Sequence, residues 1–244
     1  MKALILAAGE GTRLRPLTLD RPKPMLSIAG KPLLEHTIAW LKQHGVTRMA
    51  INLHHQPEAI ASHFGDGHRW GVQIVYSYEE QLLGTAGAAR KLQSFFDDTF
   101  VVVYGDVLTD MNLTAMLDFH RTHQAAAGST PPLATIALYR VPNPSDCGLV
   151  GLDGNQRITC FVEKPPPEDV FTDLANAGVY VLEPAILDHI PPDTFYDFGN
   201  DLFPRLLERG IPLYGCPIGP EEYLMDIGSR EEYRQAQRGW AASP

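Results

Sequence analysis

Four short apolar runs alternate with amphipathic stretches of helical period in the first 110 residues, and this alternation leaves the chain few folds to choose from. Ala3–Ala7, Met49–Leu53, Val72–Tyr76 and Phe100–Tyr104 read as buried strands. Between the first two, Leu34, Ile38 and Leu41 recur at helical spacing over Leu33–His44, and Gly45 supplies the stop. Glu58–Phe64 and Ala86–Phe96 fill the next two gaps as helices. Parallel strands cannot be joined by a tight turn, so strand–helix–strand succession implies a parallel sheet with right-handed crossovers and helices on its faces. Ligands of such sheets bind beyond the carboxyl ends of the strands.

The second half changes character. Leu133–Val141 reads as a strand, Leu149–Leu152 and Arg157–Val162 as a hairpin around Asp153-Gly154-Asn155, and Ala177–Leu182 as a further strand. A helix over Leu202–Arg209 stops at Gly210, and the prolines at 165–167 and 191–192 mark loops. No composition break acts as a linker, so residues 1–244 are expected to form a single domain, with the second half built onto the same sheet. No fixed-period repeat appears, including the short periods of a β-helix. The helical stretch Glu231–Arg238 is expected to end the fold without an appended domain.

Composition narrows the function classes. A hydrophobic fraction of 44% and a charged fraction of 20% suit a globular core and exclude disordered, collagenous and disulfide-scaffold classes. The net charge of −9 argues against a nucleic-acid polymer as partner. Cys147, Cys160 and Cys216 are unevenly spaced, without a metal-ligand pattern, which suits a reducing compartment. No apolar run approaches the roughly 20 residues that cross a bilayer. The opening MKALILAAGEG carries an apolar run of only about six residues before its glycines, too short for a secretion signal. A cytoplasmic location without membrane association is expected.

The densest chemical signal is LAAGEGTRLRPLTLDRPKPML, residues 6–26, at the end of the first strand. Gly9 and Gly11 let the backbone turn sharply and bring N–H groups toward an anion. Arg13 and Lys23 add two cations, and Pro16, Pro22 and Pro24 stiffen the loop. A dinucleotide fingerprint fails because Leu14 stands where a third glycine belongs, and a Walker A loop fails because Pro32 follows Gly30-Lys31. Together the glycines, cations and prolines are the parts of a triphosphate cradle, with Leu6, Ala8, Gly9, Gly11 and Thr12 as the expected nucleotide contacts.

That segment, followed in order by GKPLLEH (30–36), LLGTAGA (82–88), YGDVL (104–108), FVEKP (161–165), NAGVYVLEP (176–184) and MDIGS (225–229), resembles the sugar-1-phosphate nucleotidyltransferases, the nucleotide-sugar pyrophosphorylases. The resemblance implies an α/β, Rossmann-like core, a mixed, mainly parallel sheet flanked by helices, with a small sugar-binding lobe and no C-terminal β-helix. Residues 1–110 would be mainly the nucleotide-binding half and 111–244 mainly the sugar-binding half. It further implies transfer of a nucleoside monophosphate from an NTP to a sugar 1-phosphate by in-line attack, without a covalent enzyme intermediate, with Mg²⁺ as cofactor. Asp106 and Asp226 match the metal carboxylates, whereas Asp110 reads as a turn or cap residue. Arg13 would hold the leaving pyrophosphate and Lys23 the phosphates near the reacting centre. Base recognition would fall on Leu82–Gly87: Gly84 and Gly87 leave room for a base, Thr85 offers a hydroxyl and Gln81 an amide. Gly148, Glu163, Lys164, Asn176 and Gly178 match the sugar-phosphate side.

Within the family, guanylyl transfer from GTP to mannose or heptose 1-phosphate is the favoured reading. Uridylyl or thymidylyl transfer to glucose or an amino-sugar 1-phosphate is the alternative. CMP transfer to a phosphorylated alcohol fits the Glu-Lys and Asn-Ala-Gly motifs less well. A non-catalytic nucleotide sensor would predict losses at Arg13, Lys23, Asp106 or Asp226, and all four are present. A homodimer is the expected assembly. His54 and His55 are adjacent and point apart, Trp40 and Trp70 read as packing residues, and Cys160 as an inert thiol in a strand.

Overall fold

A computed structural model describes residues 1–126 and 131–240. In chain order the elements begin with β1 (Lys2–Leu6), the two-residue strands β2 (Ser27–Ile28) and β3 (Lys31–Pro32), α1 (Leu33–Gln43), β4 (Arg48–Leu53), α2 (Pro57–Phe64) and β5 (Gln73–Tyr78). There follow α3 (Gly84–Lys91), β6 (Phe100–Tyr104), β7 (Val107–Thr109), α4 (Leu113–Ala126), β8 (Ala134–Arg140), β9 (Gly148–Leu152), β10 (Ile158–Glu163) and β11 (Leu174–Leu182). A π turn at Phe198–Leu202 leads into α5 (Phe203–Glu208), and β12 (Leu213–Pro217), β13 (Leu224–Asp226) and α6 (Arg230–Trp240) complete the chain. They pack as two compact units that interleave in sequence. The first holds Met1–Leu82, Val103–Met111 and the stretch from Glu221; the second holds Leu83–Val102 and Asn112–Pro220.

In the first unit β1, β4 and β5 run parallel, with Lys2 opposite Arg48 and Arg48 opposite Gln73. Ala3, Leu4 and Ile5 and the whole of Met49–Leu53 are buried, as a parallel sheet covered on both faces requires. Helix α1 buries the Leu34, Ile38 and Leu41 stripe completely. Truncating one of these to alanine would cost about 2–5 kcal/mol. The helix ends in a left-handed Gly45, with Gly45 N–H donating to the Lys42 carbonyl and Val46 N–H to the Leu41 carbonyl. Helix α6 closes this unit through a cluster of Ile28, Leu33, Leu108, Ile227 and Ala236, edged by Tyr223, Met225, Tyr233 and Trp240. β13 pairs antiparallel with β7, setting Asp226 opposite Val107.

In the second unit β8 lies between β11, antiparallel, and β12, parallel. β9 and β10 form an antiparallel hairpin whose turn is fixed by Asp153, its carboxylate accepting from the Asn155 and Arg157 amides. Tyr180, Phe198 and Phe203 pack as a buried aromatic cluster, with Phe161 against Phe203.

This is the expected α/β class with a mixed sheet, and no β-helix lies among the described residues. Several boundaries differ. The helix expected over 86–96 starts at Gly84 and gives way after Lys91 to a short 3₁₀ turn at Gln93–Phe95. The strand expected from Ala177 starts at Leu174, its irregularity masking the period-two pattern. Helix α4 and strands β7, β12 and β13 were not anticipated; three of these four are runs of only three to five residues beside glycine, proline or charge. No helix among the described residues is long and apolar enough to cross a membrane.

Candidate functional site

In the first unit the loop after β1 is fixed at both ends. Asn52, buried at the carboxyl end of β4, accepts the Ala7 N–H at 2.8 Å and donates to Glu79 Oε1 at 2.8 Å. His54 Nδ1 contacts the Glu79 carbonyl at 2.8 Å, so this histidine holds the residue that anchors Asn52. Gly11 is left-handed (φ 62°, ψ 33°), and its carbonyl accepts the Thr18 hydroxyl at 2.8 Å. A Cβ at Gly11 would stand 3.1 Å from Thr18 Cγ2 and 3.2 Å from Lys23 Cβ, so its glycine is dictated by packing as well as by φ. Gly9 differs. It is not left-handed, and a Cβ there would meet nothing within 4 Å, so the sharp turn expected of both glycines belongs to Gly11. Ala8 is buried, Leu6 half-buried, and Thr12 and Arg13 exposed on a 3₁₀ turn whose Leu14 plugs the core.

Short pairings bring four charged groups together here. Gly105 N–H donates to the Leu6 carbonyl at 2.8 Å, and a Cβ would stand 2.7 Å from that oxygen. Glycine in the Gly-Asp pair therefore lets the end of β6 close onto the end of β1, which places Asp106 beside the loop. Ile227 N–H donates to the Asp106 carbonyl at 2.9 Å, extending the β7–β13 pairing and bringing Asp226 to Asp106. Lys23, only 8% exposed, donates to Asp106 Oδ2 at 2.5 Å. Desolvation, then the Asp106 carboxylate, push the Asp226 carboxyl up to about 7, with Glu232 adding to the rise and Lys23 and Arg13 opposing it. Asp226 is exposed to water, and like-charge repulsion from Asp106 acts on it directly. Arg13 lies over Gly228, where a Cβ would stand 3.0 Å from a guanidinium nitrogen. Gly228 N–H donates to Glu232 Oε2 at 2.9 Å, while Ser229 Oγ accepts the Glu232 N–H at 3.2 Å and caps α6. Asp226 is thus a strand residue and not the cap. Asp110 accepts the Tyr223 N–H at 2.6 Å, so it lengthens the pairing of the two short strands.

The second unit holds the remaining candidates. Glu163 and Gly148 sit opposite each other on β10 and β9, and a Cβ at Gly148 would stand 2.5 Å from Glu163 Oε2. Burial raises the Glu163 pKa, Lys164 opposes the rise and Asp197 adds to it. Lys164 is left-handed (φ 46°), its amide bonded to the Cys147 carbonyl and its ammonium 4.0 Å from Glu163 Oε1. Asn176 donates to the Tyr180 hydroxyl at 2.9 Å and accepts the Gly178 N–H at 3.0 Å; with Gly178 left-handed at φ 69°, the pair holds an irregularity of β11.

The LLGTAGA segment is built differently from its reading as an open base platform. A Cβ at Gly84 would stand 2.6 Å from the Tyr196 carbonyl oxygen, and one at Gly87 2.7 Å from the Thr194 carbonyl oxygen. These glycines admit a backbone, the 194–196 segment. The Thr85 hydroxyl donates to Asp197 Oδ1 and accepts the Phe198 N–H, both at 2.9 Å, so it is engaged within the protein. Gln81 is exposed and falls in the first unit, whereas Gly84 and Thr85 fall in the second.

Trp40 is a packing residue that donates to the Met111 carbonyl at 2.9 Å, Trp70 packs on His63 and Phe64, and none of the three cysteines is in a disulfide among the described residues. Sequence reading missed Asn52, Thr18, Asp197, Gly228 and Glu232. Thr18 and Gly228 lie within the 6–26 and 225–229 motifs without being singled out there, and Glu232 carried a signal of its own, the Ser229-x-x-Glu232 capping pattern.

Residues 2–243 match the family model described as nucleotidyl transferase. The chain is 43% identical to a UTP–glucose-1-phosphate uridylyltransferase of Synechocystis sp. (98% of this chain, 63% of the relative). It is 38% identical to a mannose-1-phosphate guanylyltransferase of Mycobacterium tuberculosis (99% of this chain, 66% of the relative). The chain thus spans about two thirds of the length of these curated relatives. A solved Bacillus anthracis structure in complex with sucrose shares the fold, with a TM-score of 0.87 at 22% identity over 100% of this chain and 96% of that one. Extended over nearly its whole length by one family model, and carrying the loop, the Gly-Asp pair and the Glu-Lys pair in place, the chain belongs to the nucleotidyl transferase family.

Proposed function

We propose that this chain transfers a nucleoside monophosphate from an NTP to a sugar 1-phosphate, releasing pyrophosphate. The observation that carries this reading is the convergence of Arg13, Lys23, Asp106 and Asp226 at the carboxyl ends of β1 and β6, beside the left-handed Gly11. A phosphate oxygen of the sugar substrate is ionised near neutral pH and needs no strong base. Catalysis then consists of alignment and charge neutralisation. Lys23, buried and desolvated, fixes a positive charge where the reacting phosphates would lie. Arg13 takes the charge that develops on leaving pyrophosphate, a role that its exposure and the position of its guanidinium over Gly228 support. Glu163 and Lys164 offer an acceptor and a cation to sugar hydroxyls and phosphate. In this reading the first unit handles the triphosphate and the second supplies the sugar contacts.

Asp106 and Asp226 also fit a divalent cation. They are hard oxygen donors, and the mutual repulsion that raises Asp226 is what such an ion relieves. No group of three or more His, Cys, Asp or Glu able to hold a metal lies among the described residues, so water and phosphate would complete the shell. A Mg²⁺ held by the pair would supply further neutralisation of phosphate charge.

For base and sugar, two pairs compete. UTP with glucose 1-phosphate is favoured by the 43% identical relative, and GTP with mannose 1-phosphate by the 38% identical one. The test is pyrophosphate release with Mg²⁺, crossing GTP, UTP, dTTP, CTP and ATP against glucose, mannose, N-acetylglucosamine and heptose 1-phosphates. One strongly preferred pair supports the reaction and fixes its specificity. Silence across the grid from folded protein that still binds an NTP refutes it.

A further inference from the structure

Segment 194–199 is bound to the first turn of α3 by six hydrogen bonds. Tyr196 N–H donates to the Leu83 carbonyl, and the Tyr196 carbonyl accepts from Ala86 and Gly87 N–H, at 2.9, 2.9 and 3.0 Å. Asp197 Oδ1 accepts both the N–H and the hydroxyl of Thr85 at 2.9 Å, and Phe198 N–H returns a bond to the same hydroxyl. A helix start leaves four N–H groups without internal partners, and three of them, those of Thr85, Ala86 and Gly87, are taken by two residues from far along the chain. A carboxylate in this position also benefits from the positive end of the helix. Gly84 and Gly87 are the concession that permits it, since either Cβ would collide with this segment.

The segment then runs directly to the Glu163 side. Phe198 is fully buried against Tyr180 and Phe203 and anchors the far end. Immediately after it, a Cβ at Gly199 would stand 2.7 Å from Glu163 Oε2, the same oxygen that Gly148 confines from the opposite strand. Glu163 is thus seated between two backbones, one of which is held in place by Asp197.

We propose that Asp197 is a positioning residue for the sugar-phosphate side, locking segment 196–199 to α3 and thereby fixing the wall that confines Glu163. The proposal rests on the reading of Glu163 as a sugar-phosphate contact. Asp197 touches no reacting group in this scheme and acts through Gly199. Its charge acts on Glu163 in the same sense, as one of the causes that raise that carboxyl.

Two readouts test it, amide hydrogen exchange of the free protein and steady-state kinetics on the preferred substrate pair. Asp197→Ala should raise exchange in 84–87 and in 161–164 together, and raise KM for the sugar 1-phosphate on the order of tenfold. Asp197→Asn, which keeps an acceptor oxygen, should restore KM to within about threefold of wild type, which a charge-only role would not allow. Thr85→Val should shift both readouts in the direction of Asp197→Ala, and the double variant should fall short of the sum of the two single effects, because the Thr85 hydroxyl bond to Asp197 is common to both. Loosening confined to 84–87 with an unchanged sugar KM overturns the proposal, since Asp197 would then be only a helix cap. Should Asp197→Ala fail to fold, Thr85→Val decides the matter, and wild-type behaviour in both readouts overturns it. A wild-type protein silent on every pair sinks the transferase reading instead. In that case joint opening of 84–87 and 161–164 supports the lock, and opening of 84–87 alone refutes it.

Discussion

Gly9 and Gly11 look equivalent in the sequence, and substituting each by alanine separates what the fold needs from what the site needs. At Gly11 alanine would enter the left-handed region, at about 1–2 kcal/mol. It would also press a methyl to 3.1 Å from Thr18 and 3.2 Å from Lys23, and overpacking of this kind costs about 1–3 kcal/mol. A gain of about 0.4–1 kcal/mol from the stiffer unfolded chain offsets part of this. The net loss is about 1–4.5 kcal/mol, and at about 2–4 °C per kcal/mol for a chain of this size Tm should fall by roughly 2–18 °C. Because the displaced neighbour is Lys23, turnover should fall with it. At Gly9 the added methyl meets nothing within 4 Å and the backbone is not left-handed, so Tm should move by no more than about 2 °C. If Gly9 faces the triphosphate, kcat/KM for the NTP should nevertheless drop by at least about tenfold. Thermal unfolding and pyrophosphate release on the same preparations provide both numbers. Equal loss of Tm in the two variants would refute the backbone argument, and full kcat/KM in Gly9→Ala would remove Gly9 from the cradle.

Three further outcomes follow from the geometry. Arg13→Ala should lower turnover by about 10²–10³-fold while leaving Tm unchanged, because the side chain is exposed and serves charge; near-normal turnover would take Arg13 out of the mechanism. Gly228→Ala should displace the Arg13 guanidinium and cost roughly tenfold in kcat/KM, whereas adding it to Arg13→Ala should do nothing more, a non-additivity that kinetics would show. The third outcome concerns acid stability. Glu183 is held below the ordinary carboxylate range by hydrogen bonds from His120 at 3.0 Å and Thr99 at 2.7 Å, with burial opposing. A depressed carboxyl contributes stability that is present above its unfolded pKa of about 4.5 and is lost as pH falls through the lower folded value. Glu183→Gln should therefore destabilise the protein at pH 7 and flatten the decline of Tm below pH 4.5; parallel Tm curves for variant and wild type would refute the assignment.

Much of the frame was readable because its signals are local. The apolar runs at 3–7, 49–53 and 100–104 are strands within a residue, and the Leu34-Ile38-Leu41 stripe with Gly45 gave α1 and its stop. What resisted reading depends on partners distant in the chain. No pattern near Gly84 announces the 194–196 backbone against it, and none near Arg13 announces Gly228. The three-residue strands β7 and β13 are too short to show a period, yet their pairing is what brings Asp106 and Asp226 together. The interleaving of the two units has the same origin, since it requires the stretch from Glu221 to return to the β1 side.

A motif therefore mixes residues chosen for different physical reasons, and the structure sorts them. Gly84 and Gly105 each have a backbone atom within 2.7 Å of where a Cβ would stand and Gly11 is left-handed, so the fold alone accounts for their identity, whereas the space at Gly148 and Gly199 is taken by the Glu163 carboxylate. Thr85, Asn176 and Asp197 spend their polar atoms on neighbouring backbone and side chains, and so define shape. Arg13 and Lys23 are different: one is a cation exposed on a tight turn, the other a buried cation held against a carboxylate that also repels Asp226. Burying Lys23 costs free energy that the single bond to Asp106 does not repay outright. Removing the lysine should leave Asp106 and Asp226 facing each other uncompensated. Lys23→Met, close in volume, is then expected to abolish turnover and to raise the carboxyl pKa beyond the wild-type value of about 7, so that as pH falls from 9 to 5 Tm starts to rise earlier and rises further than in wild type. A Tm no more pH-dependent than that of wild type would show that the four groups do not form one electrostatic unit, and the proposed site would lose its foundation.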